Sequence, residues 1–304
     1  MFSWRRISPA IILILTSGYG SANAAGLPFL KLSSSARSGA LGNAVGALFD
    51  IDAASANPAA VKSEANSVGF THSKWIQDIQ HEYATAVRPF LAGTATAQFS
   101  LSHADKLERR VGPSTTPLGT FGVYEWSMGV GYSWKTGTRM RLGTMCKLIR
   151  QSIYTESAMG GAIDLGMVVR LFDGLYAGTA VRNLGIMNKL SDKSTDMPQQ
   201  IRMALCFRGT DRARHLSLLE IQATRDSGVS MHSGIEWPIT PALALRGGYQ
   251  TANNRSFSAG FGLNVHSWRV DYSYIPHGSD LGQAHRISLY LRQPTNEYRF
   301  RQML

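Results

Sequence analysis

The sequence predicts an all-β protein: a transmembrane antiparallel β-barrel of about 14 strands, preceded by a small N-terminal plug-like segment. Three observations predict it. From Ser67 onward, segment after segment alternates apolar and polar residues, and charge keeps to one face. Long and short connections broadly alternate, as they do between the two rims of an outer-membrane barrel. No stretch reaches the ~18 apolar residues of a membrane-spanning helix, so a membrane crossing falls to strands. The C-terminal "DYSYIPHGSDLGQAHRISLYLRQ" shows the pattern: His285, Ile287, Leu289 and Leu291 share one face, Arg286, Ser288, Tyr290 and Arg292 the other. A soluble sheet would cover its apolar face with a second layer. In a barrel, lipid takes that place, and closure satisfies every backbone group.

The elements follow in order. Residues 1–24 read as a signal peptide. Arg5 and Arg6 precede the short apolar run Ile7 to Leu15, and Ala22-x-Ala24 offers a cleavage site. No cysteine lies near that site, which argues against a lipid anchor. Residues 25–66 are rich in Ala, Gly and Ser and do not alternate for long. Asn57-Pro58 breaks any helix there and favours a turn. This stretch is expected to form a compact plug or hatch. Residues 67–293 form the barrel, and residues 294–304 a periplasmic tail.

Within the barrel, "GTATAQFSL" sets Ala95, Ala97, Phe99 and Leu101 against Thr94, Thr96, Gln98 and Ser100. "WSMGVGYSW" sets Met128, Val130, Tyr132 and Trp134 against Ser127, Gly129, Gly131 and Ser133. "RMRLGTMCKLI" and "GAIDLGMVVRL" continue the alternation. Similar segments lie near 67–75, 79–87, 175–183, 200–208, 215–224, 230–237, 242–249, 255–266, 268–275 and 285–292. The connections after the third and seventh segments are long, 103–122 and 183–200. The last strand is expected to pair with the first.

The polar face carries Lys147, Asp164, Arg170, Arg182, Arg202, Arg208, Arg246, Arg269, Asp271 and Arg286, which are therefore expected to face the lumen. Asp50 and Asp52 of the plug are expected to pair with lumen arginines such as Arg202 or Arg246. Trp75, Tyr83, Tyr132, Trp134, Trp237, Trp268, Tyr272 and Tyr274 are expected near strand ends, as interfacial girdles require. Cys146 falls on the lipid face and Cys206 on the lumen face, so two free thiols are expected. The net charge of +11 would suit nucleic acid, an anionic lipid surface or an acidic partner. In an exported chain nucleic acid is the poorest of these.

Ser102, His103 and Asp105 lie close in sequence, but no G-x-S-x-G occurs, and a hydrolytic triad draws its members from distant positions. The eight histidines show no metal-ligand spacing. No enzymatic activity, cofactor or metal is expected.

Three stretches resemble the PorV/PorQ family of outer-membrane proteins, part of the wider FadL-like barrel group. "ARSGALGNAVGALFDIDAASANPAAV" is similar to that group's small-residue segment ending in Asn-Pro-Ala, here Asn57, Pro58 and Ala59. "LGTMCKLIRQSIYTESAMGGAIDLGMVVRLFDGLYAGTAVRNLG" is similar to the family's central hairpins. "DYSYIPHGSDLGQAHRISLYLR" is similar to its closing hairpin. The family's usual acidic pair is split here as Asp50-Ile51-Asp52, and the chain runs on into "PTNEYRFRQML". The resemblance implies a 14-stranded barrel in the bacterial outer membrane, with Asn57, Pro58, Ala59, Asp50 and Asp52 as the plug motif. It implies an accessory role in type IX-like protein secretion, with secretion-system proteins or cargo as partners besides outer-membrane lipid. The alternative is a FadL-like channel for hydrophobic small molecules. A third reading is an open porin-like lumen with anion preference.

Overall fold

The computed structural model describes residues 26–293 apart from 33, 76–78, 111, 113–115, 210–213, 253–256 and 278–281. The expected signal peptide and tail lie outside the described residues.

Fourteen antiparallel strands close into one barrel. They are β1 (Asn66–Lys74), β2 (Gln80–Phe90), β3 (Gly93–Arg109), β4 (Gly119–Thr136), β5 (Met140–Ile153), β6 (Glu156–Phe172) and β7 (Leu175–Met187). Then come β8 (Gln200–Arg208), β9 (Leu216–Thr224), β10 (Gly228–Pro238), β11 (Leu243–Gln250), β12 (Phe257–Val265), β13 (Trp268–Pro276) and β14 (Gln283–Gln293). Each strand pairs with its sequence neighbours, and β1 pairs with β14 from Asn66↔Gln293 to Lys74↔His285. Because the strand number is even, the chain enters and leaves the barrel at the same end. That end also holds the tight turns 91–92, 137–139, 173–174 and 266–267, and is called the turn end below. The opposite rim is the loop end.

The alternation of the sequence becomes the two faces of the wall. Val68 and Phe70, Met128 and Val130, Ile163 and Leu165, Met203 and Leu205, Leu219 and Ile221, Ile287 and Leu289 all point outward and are exposed. Such a continuous apolar belt has no place in water, and lipid is its solvent. Phe90, the stacked pair Tyr132 and Trp134, Phe172, Phe207, Trp237 and Trp268 ring the turn end, where a bilayer interface would lie. Three members of the expected girdle are elsewhere, and one of them, Tyr272, lies mid-strand opposite Ile287. Trp75 and Tyr83 are buried, and Tyr83 donates to Gln98 Oε1 at 2.9 Å inside the barrel. Tyr83 takes the inward parity of its strand, which the aromatic pattern alone did not reveal. Cys146 is exposed on the outer face and Cys206 is buried inside, and both are free thiols.

Several strand boundaries differ from those the sequence predicts. Most of the expected connection 103–122 is strand, because β3 runs to Arg109 and β4 starts at Gly119. β5 and β6 likewise extend to a two-residue link at Tyr154 and Thr155. At ~3.4 Å per residue, 17 or 18 residues tilted by ~45° rise ~40 Å, well past a ~25 Å apolar band. Beyond lipid the outward face no longer needs apolar residues, so the alternation that marks a strand fades while its hydrogen bonds continue. The two-residue and 225–227 links also place short connections at the loop end, where the parity rule expects long ones.

The described residues of 26–65 fill the lumen. They contain one short helix, α1 (Ala36–Ala40), and single 3-10 turns at Pro28–Lys31, Ile51–Ala53 and Pro58–Ala60. Ser35 caps α1 in a reciprocal capping box with Ser38. The segment begins near the loop end, where Lys31 Nζ lies 2.6 Å from Asp226 in the β9–β10 turn. It descends through the lumen and reaches β1 at the turn end.

Candidate functional site: the seat of the plug

Little of the plug is regular helix, so its backbone groups need partners other than its own. The wall supplies them. Ala36 N donates to Ser288 Oγ at 2.8 Å, and Ser288 pairs with Thr71 at 2.7 Å. Ser258 Oγ donates to Ala40 O at 3.1 Å, His232 Nδ1 meets Gly42 O at 2.8 Å, and Ser133 Oγ donates to Val61 O at 2.7 Å. The polar lumen positions of the sequence are thus a surface for holding main chain.

Asn57 makes four hydrogen bonds. Its Nδ2 donates to Gly46 O at 2.7 Å, and to Met167 O and Thr179 O at 3.3 Å on β6 and β7. Its Oδ1 accepts from Ala59 N at 3.0 Å, which caps the turn opened by Pro58. Pro58 and Ala59 are buried against the wall. Here glycines let main chain approach: a Cβ on Gly143 would lie 2.4 Å from Ala59 N. Gly166, Gly178, Gly234, Gly248 and Gly260 stand just as close to other plug atoms. In the wall these glycines mark the plug's footprint.

Charge fixes the other half. Arg37 on α1 donates Nε and Nη2 to the two oxygens of Glu236, at 2.7 and 2.8 Å, a bidentate pair. Its Nη1 donates to Asp50 and lies 3.5 Å from Asp52 Oδ2. Arg269 donates to Asp50 at 3.1 Å and to Asp52 at 2.5 Å, and it stacks over the Tyr290 ring at 4.1 Å. Tyr290 donates its hydroxyl to Asp52 Oδ1 at 2.6 Å. Arg246 bonds Glu236 at 2.6 Å and Asp271 at 2.7 Å. It reaches Asp271 across β12 because Gly262 leaves the room; a Cβ there would lie 2.5 Å from both side chains. Burial alone would raise the Asp52 carboxyl, but Arg269 and Arg37 hold it well below the ordinary carboxylate range. Burial likewise opposes the charge of Arg37, yet Glu236 and Asp50 raise its affinity for the proton.

The expected partners of Asp50 and Asp52 are therefore corrected. Arg246 is committed to Glu236 and Asp271. Arg202 is held by Glu220, whose other oxygen accepts Gly46 N at 2.8 Å, while Arg202 Nη2 donates to Asn43 O at 2.7 Å. Lys147 and Arg182 flank Asp164, at 2.7 and 3.6 Å, within the wall. Arg286 is buried and lies over the Trp75 ring at 5.0 Å. Arg170 and Arg208 sit at the turn-end mouth and are exposed. Arg37, Glu220 and Glu236 are among the site residues that the sequence reading missed. The two glutamates lie on the inward parity of their strands, which could have found them; nothing local marks Arg37.

Two apolar patches complete the seat. Leu41, Val45 and Leu48 pack on Ala204, Cys206, Leu216 and Leu218, from the middle of β8 to the turn end of β9. At the loop end Leu27, Phe29 and Leu30 pack on Ile149, Ala162 and Met197. His103 Nδ1 meets Asp105 at 3.1 Å, but Ser102 points to the opposite face of β3, so the three form no hydrolytic triad. Among the described residues no group of three or more His, Cys, Asp or Glu is placed to hold a metal.

No protein-family model and no curated protein sequence matches the chain. Solved structures do. The Pseudomonas putida toluene transporter TodX superposes with a TM-score of 0.61 at 12% identity, covering 84% of this chain and 96% of that one. The Ralstonia pickettii toluene transporter TbuX gives 0.63 at 10% identity, covering 86% and 98%. A Pseudomonas aeruginosa FadL homologue gives 0.57 at 10%, with coverage of 86% and 98%. At these identities the likeness shows the fold alone, a closed 14-strand antiparallel barrel. Nothing in these comparisons supports the narrower resemblance to PorV/PorQ proteins.

Proposed function

We propose that this chain is a non-enzymatic barrel of the bacterial outer membrane that admits small hydrophobic molecules past its plug. The observation that carries this reading is the apolar patch at the loop end. There Leu27, Phe29 and Leu30 occupy a recess walled by Ile149, Ala162 and Met197. When the start of the plug leaves, the recess is open to an apolar molecule of similar size. The plug is released by breaking ion pairs and hydrogen bonds, which reform in the same places. The fold shared with two toluene transporters supports this reading over the secretion-accessory one, which draws no support from any neighbour.

In this orientation the turn end faces the periplasm. Asn57, Pro58, Ala59, Asp50 and Asp52 hold the plug, and the buried lumen charges position it. The test is uptake of radiolabelled toluene by cells lacking such a channel, with and without the protein in their outer membrane. Uptake that rises with the protein, while a small sugar stays excluded, is the expected result. Equal toluene uptake in both strains would overturn the proposal.

A further inference from the structure

At the turn-end mouth, between plug and wall, lies a cavity of about 460 Å³. Lys62, Lys135, Arg139, Arg141, Arg170 and Arg208 line it, and among the described residues no carboxylate does. Strand alternation gathers four of them. Lys135, Arg141, Arg170 and Arg208 take the inward parity at the turn ends of β4, β5, β6 and β8. Between the last two, β7 contributes Tyr176, which meets Phe49 of the plug edge-on at 4.8 Å.

These cations differ from others in the lumen. Arg37, Lys147, Arg202, Arg246 and Arg269 each stand within 3.1 Å of a carboxylate. At the mouth, Lys62 meets Glu64 at 3.1 Å and Arg170 meets Asp173 at 3.8 Å, both in exposed pairs that solvent weakens. Among the described residues, Lys135, Arg139, Arg141 and Arg208 have no such partner. Arg141 is nonetheless fixed, donating to Val61 O at 3.1 Å and to Ser133 Oγ at 2.9 Å. Six like charges around one cavity raise its potential and repel one another, and a multivalent anion relieves that repulsion.

The geometry points to a binding site for a small multivalent oxyanion, carrying phosphate or carboxylate groups, at the periplasmic mouth. Phe49 and Lys62 belong to the plug and the other cations to the wall, so a bound anion bridges the two and holds the plug seated. The site stands whether or not hydrophobic molecules pass the plug.

The test is calorimetric titration of the full chain, in phosphatidylcholine nanodiscs at low salt, with inorganic pyrophosphate. Saturable binding is expected, weakened about tenfold or more in the double variant Arg170→Gln/Arg208→Gln. Both side chains are exposed, so the barrel should fold without them. Arg225→Gln, an exposed arginine at the loop end, should leave binding unchanged. No saturable heat, or equal affinity in the double variant, would overturn the site. Nanodiscs of phosphatidylglycerol identify the source. Pyrophosphate displaced there means a lipid headgroup fills the site, and undiminished binding means a free anion; either supports it. Tighter binding of an oligoglutamate peptide than of pyrophosphate would replace the small anion by a protein partner and overturn the proposal.

Discussion

Replacing Asp52 by alanine should unseat the plug while leaving the barrel intact. The Asp52 carboxylate is fully buried and takes Arg269 at 2.5 Å, Tyr290 at 2.6 Å and Arg37 at 3.5 Å. Breaking a buried ion pair costs ~3–5 kcal/mol when the surviving charge is left alone. Here it is not alone. Arg37 keeps Glu236 and Asp50, and Arg269 keeps Asp50 at 3.1 Å and Asp271 at 2.8 Å. That lowers the charge contribution to ~2 kcal/mol, and the Tyr290 hydroxyl, left buried without its acceptor, adds ~1 kcal/mol. About 3 kcal/mol corresponds to ~10²-fold more frequent release. Hydrogen exchange of the protein in nanodiscs reads this directly. The amides of Leu41 and Leu48, which bond Arg37 O and Val45 O at 3.1 Å, should exchange ~10²-fold faster, with β8 to β10 unchanged. Asp52→Asn, which keeps the shape and one acceptor, should fall between. Plug protection unchanged in the alanine variant would refute the latch. Plug and barrel loosening together would refute the plug as a separate unit.

Three further outcomes are expected. Because the Asp52 carboxyl titrates lower in the seated plug than in the free chain, its contribution is whole above about pH 4. It is lost as pH falls through the seated value, so plug exchange rates should climb on acidification below that point while a plug lacking Asp52 responds less. Asn57→Ala removes four hydrogen bonds and should cost ~2–3 kcal/mol of plug seating, read as faster exchange at Gly46 and Ala59. Gly143→Val puts a side chain into the backbone of Ala59, so limited proteolysis should cut residues 26–65 while the barrel keeps its heat-dependent shift on a gel; an uncut plug would show that the wall can move instead.

The fold was legible because the bilayer writes it into the chain. Lipid forces Met128, Val130, Ile163, Leu165, Ile287 and Leu289 outward, and a period of two follows. Where β3 to β6 rise past the lipid that pressure ends, and the pattern understates the strands. The plug was legible only as a stretch of small residues, with Asn57-Pro58 as its one local signal. Its partners were not, because which wall carboxylate meets Arg37 depends on strand stagger and on the descent of an irregular chain. The lumen also looked more basic than it is, since Glu220 and Glu236 went uncounted.

The pairing of β1 with β14 joins residues 66–74 to residues 285–293. The plug immediately precedes β1, yet it lies against β11 to β14 through α1 and against β4 to β6 through Pro58–Ala60. A ring already shut would have to swallow its own leading end. The simpler order is that the open sheet curls around the segment and the seam closes last, with the plug as the mandrel that sets the curvature. A chain cut before Gln283 would then lose more than a strand: with nothing to complete the turn, the ring and its filling would come apart together.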